Sequence, residues 1–231
     1  MIRISLNLAL EKIANDAVKE VPVDIKLGLG SGSLAAKFVL ALGKTKHDLS
    51  NLTIIPSSLQ IKLLAEEAGF SLFSSIDCSS SIDLVVDGAD QIDVGYNMVK
   101  GGGGALLKEK ILLYSAKQVI ILAEESKFIE VLGLDCKVPI EVNPFARKTV
   151  SQKLQDIGAT SSIRALNKGY PLFTESGNII LDTDLGELRD PAGMELTINN
   201  IPGVIEVGIF TRKPNILFKA NINGSVEKIV T

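Results

Sequence analysis

The feature that most constrains this chain is a repeated alternation, over its first 130 or so residues, of short apolar runs with helical patterns. Ile25-Lys26-Leu27-Gly28-Leu29 reads as a strand, and a Gly/Ser turn leads from it into the helical stretch Leu34 to Leu42. Leu52-Thr53-Ile54-Ile55 is a second strand, followed by Pro56-Ser57-Ser58 and a helix from Leu59 to Ala68. Ile82 to Val86 and Gln118 to Ala123 are the third and fourth. Strands that lie parallel need a long crossover, which a helix supplies, so this order predicts a parallel sheet covered on both faces. The last two runs are almost unbroken aliphatic sequence, as full burial of a strand demands.

A different rhythm begins near Asp135. Lys137 to Val142 reads as a strand, and Asn143 with Pro144, in N-cap and N1 places, caps a helix from Phe145 to Ile157. Strand signals follow at Thr160 to Ala165 and Leu172 to Asp182, the latter broken at Ser176-Gly177-Asn178. A helix from Asp190-Pro191 to Asn200 and a strand from Val204 to Phe210 complete a βαββαβ order. That is the order of a ferredoxin-like module. Asn215 to Val230 returns to strands and is expected to rejoin the first sheet. The fold class expected is therefore α/β: a Rossmann-like parallel-sheet domain, residues 1–134 and 211–231, with an inserted ferredoxin-like α+β domain, residues 135–210.

Composition narrows the function. With 231 residues, 46% hydrophobic and 22% charged, the chain can bury a substantial core. A net charge of −3 and the lack of any Lys/Arg run exclude a general nucleic-acid binder, so a bound anion must be held by a local site. Cys78 and Cys136 read as packed thiols in a reducing cytoplasm rather than as a disulfide framework. Met1 to Val21 carries Glu11, Lys12, Asp16, Lys19 and Glu20, which makes it an amphipathic helix and not a signal peptide; no apolar stretch is long enough to span a bilayer. The single histidine, His47, sits in the polar stretch Lys44 to Asp48, read as a solvated loop. Ser-His-Asp chemistry and His-based metal sites are thus hard to build.

Three segments fall just after strand ends, where parallel sheets carry their functional loops. Gly28-Leu29-Gly30-Ser31-Gly32-Ser33-Leu34 can turn backbone N–H groups toward an anion at a helix N-terminus. Ser33 stands where the dinucleotide fingerprint needs glycine, and the loop does not end in Gly-Lys-Ser/Thr as a P-loop does, so a small phosphate is the ligand expected; a purely structural turn is the competing reading. Asp87-Gly88-Ala89-Asp90-Gln91-Ile92-Asp93 sets carboxylates at the mouth of a buried strand; turn capping by Asp90 and Asp93, or a Mg²⁺ site, are the alternatives. Lys100-Gly101-Gly102-Gly103-Gly104 enters a helix in which Glu109 shares the sector of Ala105, Leu106, Leu112 and Leu113. Burial disfavours a carboxylate's charge, while a helix N-terminus and nearby lysines favour it, and a proton-transfer group needs that balance. An exposed Lys-Glu-Lys face is the bland alternative. A phosphate cradle, carboxylates, a lysine and a half-buried glutamate suit removal of a proton α to a carbonyl in a sugar phosphate.

The chain resembles type A ribose-5-phosphate isomerase. The resemblance is carried by Gly28 to Ser33, Asp87-Gly88-Ala89-Asp90, Lys100-Gly101-Gly102-Gly103, Glu109-Lys110-Ile111, Ser126-Lys127, Pro139 to Val142, Gly177 to Asp182 and Ile201-Pro202-Gly203-Val204. It implies interconversion of D-ribose 5-phosphate and D-ribulose 5-phosphate through an enediol, in the non-oxidative pentose phosphate branch, without metal or cofactor. It further implies Glu109 as general base, Asp87 as the group assisting ring opening and hydroxyl proton transfer, with Asp90 beside it, and Lys100 with Gly101 to Gly103 at the developing oxyanion. Ser31, Gly32, Ser33 and Leu34 match its first substrate loop, with Gly88, Ala89, Asp90 and Lys127 as further substrate contacts. Homodimers or homotetramers are the family's assemblies. Two departures stand out: Leu34 replaces a usual threonine and cannot donate a hydroxyl, and Leu10 occupies the place of a first-helix lysine, with Lys12 nearby. Both bear on phosphate affinity. An isomerase of another aldose or amino-sugar phosphate and a non-enzymatic sugar-phosphate sensor are the rival readings.

Overall fold

The computed structural model describes residues 2–45, 52–73 and 81–231; His47 and Cys78, read above as a loop residue and a packed thiol, lie outside them. The chain begins with helix α1 (Ile2–Val18), strand β1 (Lys26–Leu29), helix α2 (Gly32–Gly43), strand β2 (Thr53–Pro56), helix α3 (Leu59–Glu67) and the short strand β3 (Ser71–Leu72). Strand β4 (Ile82–Gly88), the short strands β5 (Gln91–Ile92) and β6 (Met98–Val99), helix α4 (Leu106–Ser115) and strand β7 (Ala116–Glu124) come next. Then follow β8 (Val138–Val142), α5 (Arg147–Asp156), β9 (Thr160–Ile163), β10 (Ile179–Asp184), α6 (Pro191–Asn199) and β11 (Val204–Val207). The chain closes with β12 (Ile209–Phe210), β13 (Ile216–Ala220) and β14 (Val226–Val230). Two compact units result.

The first unit comprises Met1–Ala89, Lys108–Lys127 and Arg212–Thr231. Its seven-stranded sheet has the order β14-β13-β7-β4-β1-β2-β3. All neighbours are parallel except β13 and β14. The aliphatic run Val119 to Ala123 explains why β7 lies inside the sheet: every one of those side chains is buried. Ile13 of α1 and Phe38 and Leu42 of α2 pack with Leu27, Leu29, Ile54 and Leu122 in one apolar core. The terminal segment joins this sheet as expected, and Asn215 locks it to β7: the Val119 N–H donates to Asn215 Oδ1 at 2.8 Å and the Asn215 N–H to the Val119 carbonyl at 2.8 Å. Because β1, β4 and β7 run the same way, the residues after Leu29, Gly88 and Glu124 emerge at one edge of the sheet.

The second unit comprises Asp90–Leu107 and Phe128–Thr211. Elements β8, α5, β9, β10, α6 and β11 follow the expected βαββαβ order. They form an antiparallel sheet β11-β8-β10-β9 with a core of Val138, Ile140, Val142, Val150, Leu154, Leu181 and Ile198. This is the ferredoxin-like arrangement. The unit is wider than residues 135–210. Strands β5 and β6 pair with β12 in a three-stranded sheet, and the Ile129 N–H donates to the Ile92 carbonyl at 2.9 Å, so residues 90–107 and 128–134 belong with it. The helix expected from Phe145 also begins later. Asn143 Oδ1 accepts from the Phe145 N–H at 3.0 Å and closes a 3₁₀ turn, Pro144–Ala146, before α5 starts at Arg147. Among the described residues no helix is long and apolar enough to cross a membrane.

Candidate functional site

The residues singled out from sequence divide between the two units. Ser31, Gly32, Ser33, Leu34, Asp87, Gly88, Ala89, Glu109 and Lys127 belong to the first; Asp90, Lys100, Gly101, Gly102 and Gly103 belong to the second.

In the first unit the loop after β1 is tied to the neighbouring strand, the Gly30 N–H donating to the Val86 carbonyl at 2.9 Å. This brings Gly30 against Asp87 so closely that a Cβ at Gly30 would lie 1.7 Å from Asp87 Oδ1. Only glycine fits. Asp87 itself is fully buried at the end of β4, and its Oδ1 accepts from the Gly88 N–H at 2.7 Å. A carboxylate so placed keeps its charge only through hydrogen bonds and ionic neighbours. Glu109, in the first turn of α4, is 3% exposed, which discards the exposed Lys-Glu-Lys alternative; Lys110 beside it is buried as well. Ser31 Oγ donates a short hydrogen bond to Glu109 Oε1. The structure therefore brings the Gly/Ser loop to both carboxylates: backbone contact to Asp87, side-chain contact to Glu109.

Ser31 sits in extended conformation before Gly32, which opens α2 with φ +87°. Ser33 is exposed in the first turn, while Leu34 packs, half-buried, against the unit's apolar core. Leu34 thus acts as a core residue of α2. Lys127, half-buried, ends the 3₁₀ turn Glu125–Lys127 that follows β7, at the same sheet edge as Gly30 and Gly88. Leu10 is half-buried against the core and Lys12 is exposed on α1.

In the second unit Lys100 is 2% exposed. Its backbone N–H donates to the Gly208 carbonyl at 2.9 Å, and its ammonium stands 5.5 Å from the centre of the Phe210 ring. A cation over an aromatic face is stabilised by roughly 0.5–2 kcal/mol, depending on its solvation. The glycine run that follows is held from two sides. Gly101 has φ +104°, a left-handed conformation that excludes most side chains. The Gly102 N–H donates to Asp90 Oδ2 at 2.8 Å, and the Asp90 N–H to the Val99 carbonyl at 2.8 Å. Asp93 departs from this group. Its carboxylate accepts from the Asn97 N–H and from Asn97 Nδ2, both at 2.8 Å, so it caps its own turn. Among the described residues no group of three or more His, Cys, Asp or Glu side chains is placed to hold a metal ion.

Sequence reasoning passed over one pair of side chains. Arg164, next after β9, donates through Nη1 to the carbonyls of Gly101 (2.8 Å) and Gly102 (2.9 Å). Its Nε and Nη2 meet the Asp182 carboxylate at 3.0 and 2.5 Å. The Gly177 to Asp182 stretch carries part of the resemblance, but nothing local in sequence says that an arginine 18 residues earlier pairs with its last residue. Antiparallel pairing of β9 with β10 sets that partnership, placing Ser162 opposite Asp182.

The family model for ribose 5-phosphate isomerase A (phosphoriboisomerase A) matches residues 53–224. The chain is 40% identical over 215 residues to ribose-5-phosphate isomerase A of Thermococcus kodakarensis, covering 92% of this chain and 93% of that one. It is 36% identical over 223 residues to the Prochlorococcus marinus protein of the same name, covering 94% and 93%. A solved D-ribose-5-phosphate isomerase in complex with phospho-erythronic acid superposes with a TM-score of 0.90 at 38% identity, covering 96% of this chain and 98% of that one. The Plasmodium falciparum ribose 5-phosphate isomerase superposes with a TM-score of 0.91 at 30% identity, covering 96% and 98%.

Proposed function

The chain belongs to the ribose 5-phosphate isomerase A family of aldose–ketose isomerases, and on that premise we propose that it interconverts D-ribose 5-phosphate and D-ribulose 5-phosphate through an enediol, with Glu109 as the general base. The observation that carries this reading is Glu109 itself. It is a glutamate buried to 3% exposure in the first turn of a helix, oriented by a hydroxyl from the glycine-rich loop. Burial keeps the side chain from swinging into solvent, and the hydrogen bond from Ser31 fixes one oxygen, so the carboxylate is held in one orientation for proton transfer.

In the proposed cycle Asp87 assists opening of the sugar ring. Glu109 then takes the proton from C2 of the aldose, and the electron pair moves to the carbonyl oxygen, giving an enediolate. Lys100 and the Gly101 to Gly103 backbone stabilise that oxygen. The proton returns from Glu109 to C1 while, with Asp87 assisting, the hydroxyl proton of O2 passes to O1, so that C2 becomes the carbonyl and the ketose forms; no electron leaves the substrate, so neither oxidant nor cofactor is called for. The phosphate is assigned to Ser31, Gly32, Ser33 and the start of α2, where N–H groups at a helix N-terminus favour an anion. Asp90, Gly88, Ala89 and Lys127 are assigned to substrate contacts, and the reducing cytoplasm inferred from cysteine usage is the proposed setting.

The test is conversion of D-ribose 5-phosphate by the purified protein with a chelator present throughout, in parallel with Glu109→Gln. Wild-type turnover that resists the chelator is expected, with loss of at least ~10²-fold in kcat for the variant, the low end for removing a general base. A folded Glu109→Gln protein with near-normal kcat would remove Glu109 from the role. Wild-type protein inert on this sugar but active on another aldose phosphate would move the substrate assignment instead.

A further inference from the structure

We propose that Arg164, anchored by Asp182, is a positioning residue for the Gly101–Gly103 oxyanion loop. The inference rests on the reading above that this loop stabilises the enediolate oxygen. Three glycines in succession have wide conformational freedom, and a loop of flexible donors would have to be ordered at each turnover. Something must hold it. Arg164 Nη1 grips two consecutive carbonyls, those of Gly101 and Gly102, at 2.8 and 2.9 Å. The other guanidinium nitrogens are fixed by Asp182, with Nε 3.0 Å from Oδ2 and Nη2 2.5 Å from Oδ1. Both side chains are largely covered, 15% and 22% exposed, so the pair is less screened than a surface ion pair. The backbone of Arg164 is itself anchored, its N–H donating to the Ile180 carbonyl at 2.8 Å and its carbonyl accepting from Leu172 at 2.9 Å.

Peptide geometry converts this grip into a direction for the donors. The chain's described peptide bonds are not cis, and in a planar trans peptide the N–H points opposite to the C=O. The peptide joining Gly101 and Gly102 is held at both ends, its carbonyl on Arg164 and its N–H on Asp90 Oδ2 at 2.8 Å. The next peptide has its carbonyl on Arg164, so the Gly103 N–H must point away from the guanidinium. Its direction is set before any ligand arrives. A cation bound to the carbonyl also polarises the same peptide and strengthens its N–H as a donor. Arginine suits the task and lysine does not match it, because the planar fork reaches two carbonyls and a carboxylate together.

The variants are Arg164→Met, Arg164→Lys and Asp182→Asn, each compared with wild type by circular dichroism, by steady-state kinetics on D-ribose 5-phosphate, and by inhibition with phospho-erythronic acid and with inorganic phosphate. Deleting an oxyanion donor outright costs about 10²–10³ in kcat, and loosening one is expected to cost at least ~10-fold. For Arg164→Met the expected pattern is that fall in kcat with KM changed by less than ~3-fold. Phospho-erythronic acid, whose planar carboxylate imitates the enediolate, should weaken in step with kcat/KM, while phosphate inhibition stays put. Arg164→Lys should recover part of the loss, and Asp182→Asn should fall between. A folded Arg164→Met enzyme with kcat within ~2-fold of wild type overturns the inference and leaves the isomerase reading intact. Equal weakening of phosphate and phospho-erythronic acid overturns it too, since that marks general distortion. Should Arg164→Met fail to fold, Arg164→Lys and Asp182→Asn decide by the same split. Wild-type protein without turnover would remove the isomerase reading and this role with it.

Discussion

Glu109 shows how much a single residue's surroundings say about it. Its sector on the helical wheel already marked it as a glutamate among leucines, and the structure places it at 3% exposure. Asp87 was visible as an acid at a strand end, but its full burial was not, because a seven-residue strand could have ended anywhere near it. The closest constraint lies at Gly30. A methyl group there would overlap Asp87 Oδ1 at 1.7 Å, so Gly30→Ala must move either the loop or the carboxylate. Overpacking of this kind costs about 1–3 kcal/mol or more. The expected outcome is a lowered melting temperature together with loss of most of the activity, measured by calorimetry and by turnover of D-ribose 5-phosphate. Wild-type values for both would show that the approach of Gly30 to Asp87 is not required. Leu34 illustrates the opposite case: in sequence it was a missing hydroxyl, and in the fold it is a half-buried packing residue.

At the scale of elements, periodicity and caps carried most of the information. β4 and β7 were legible because an unbroken aliphatic run has few alternatives to a doubly covered strand. The helix read from Asp190-Pro191 is α6, and Asp190 caps it, accepting from the Gly193 N–H at 3.0 Å. The start of α5 was missed by a turn, since Asn143-Pro144 is compatible with a 3₁₀ turn as well as with an α-helix. One strand contact was not readable at all. Asp83 of β4 accepts from the Lys26 N–H of β1 at 2.9 Å and from Lys117 Nζ of β7 at 2.7 Å, pinning three strands together. The hydrogen bond from Lys117, followed by that from the Lys26 backbone, holds its carboxyl below the ordinary 3.8. A depressed folded value means that the stabilisation is present above about pH 4 and is lost as pH falls through the folded pKa. Asp83→Asn is therefore expected to lower the melting temperature at pH 7 by at most about 2–4 °C, the shift for roughly 1 kcal/mol in a chain of this size, because Lys117 is 62% exposed and solvent screens the pair. The gap should narrow as the pH drops below about 4, and a gap that is constant with pH would mean that the ionised carboxylate contributes nothing.

For the whole molecule, the family reading implies a homodimer or homotetramer. The second unit exposes large apolar side chains, Phe145 fully and Tyr170, Phe173 and Leu196 by more than half, which favours association. Light scattering after gel filtration is expected to give two or four chain masses at micromolar concentration; a single chain mass would leave those side chains in water and reject the assembly. The order of elements along the chain was open to inspection in the sequence, because the 2.0 and 3.6 residue periods of strand and helix are local properties. So were the glycine-rich and acidic loops proposed as the site, since glycine runs and charged residues after apolar strands have few structural uses. The edges of the second unit were not. Residues 90–107 join it through long-range contacts, among them the pairing of β6 with β12 across more than a hundred residues of chain. The grip of Arg164 on Gly101 and Gly102 was equally hidden, because it spans 63 and 62 residues and depends on the register of β9 against β10. Local periodicity is written in neighbouring residues; long-range pairing exists only once burial and hydrogen bonding have chosen which distant segments meet.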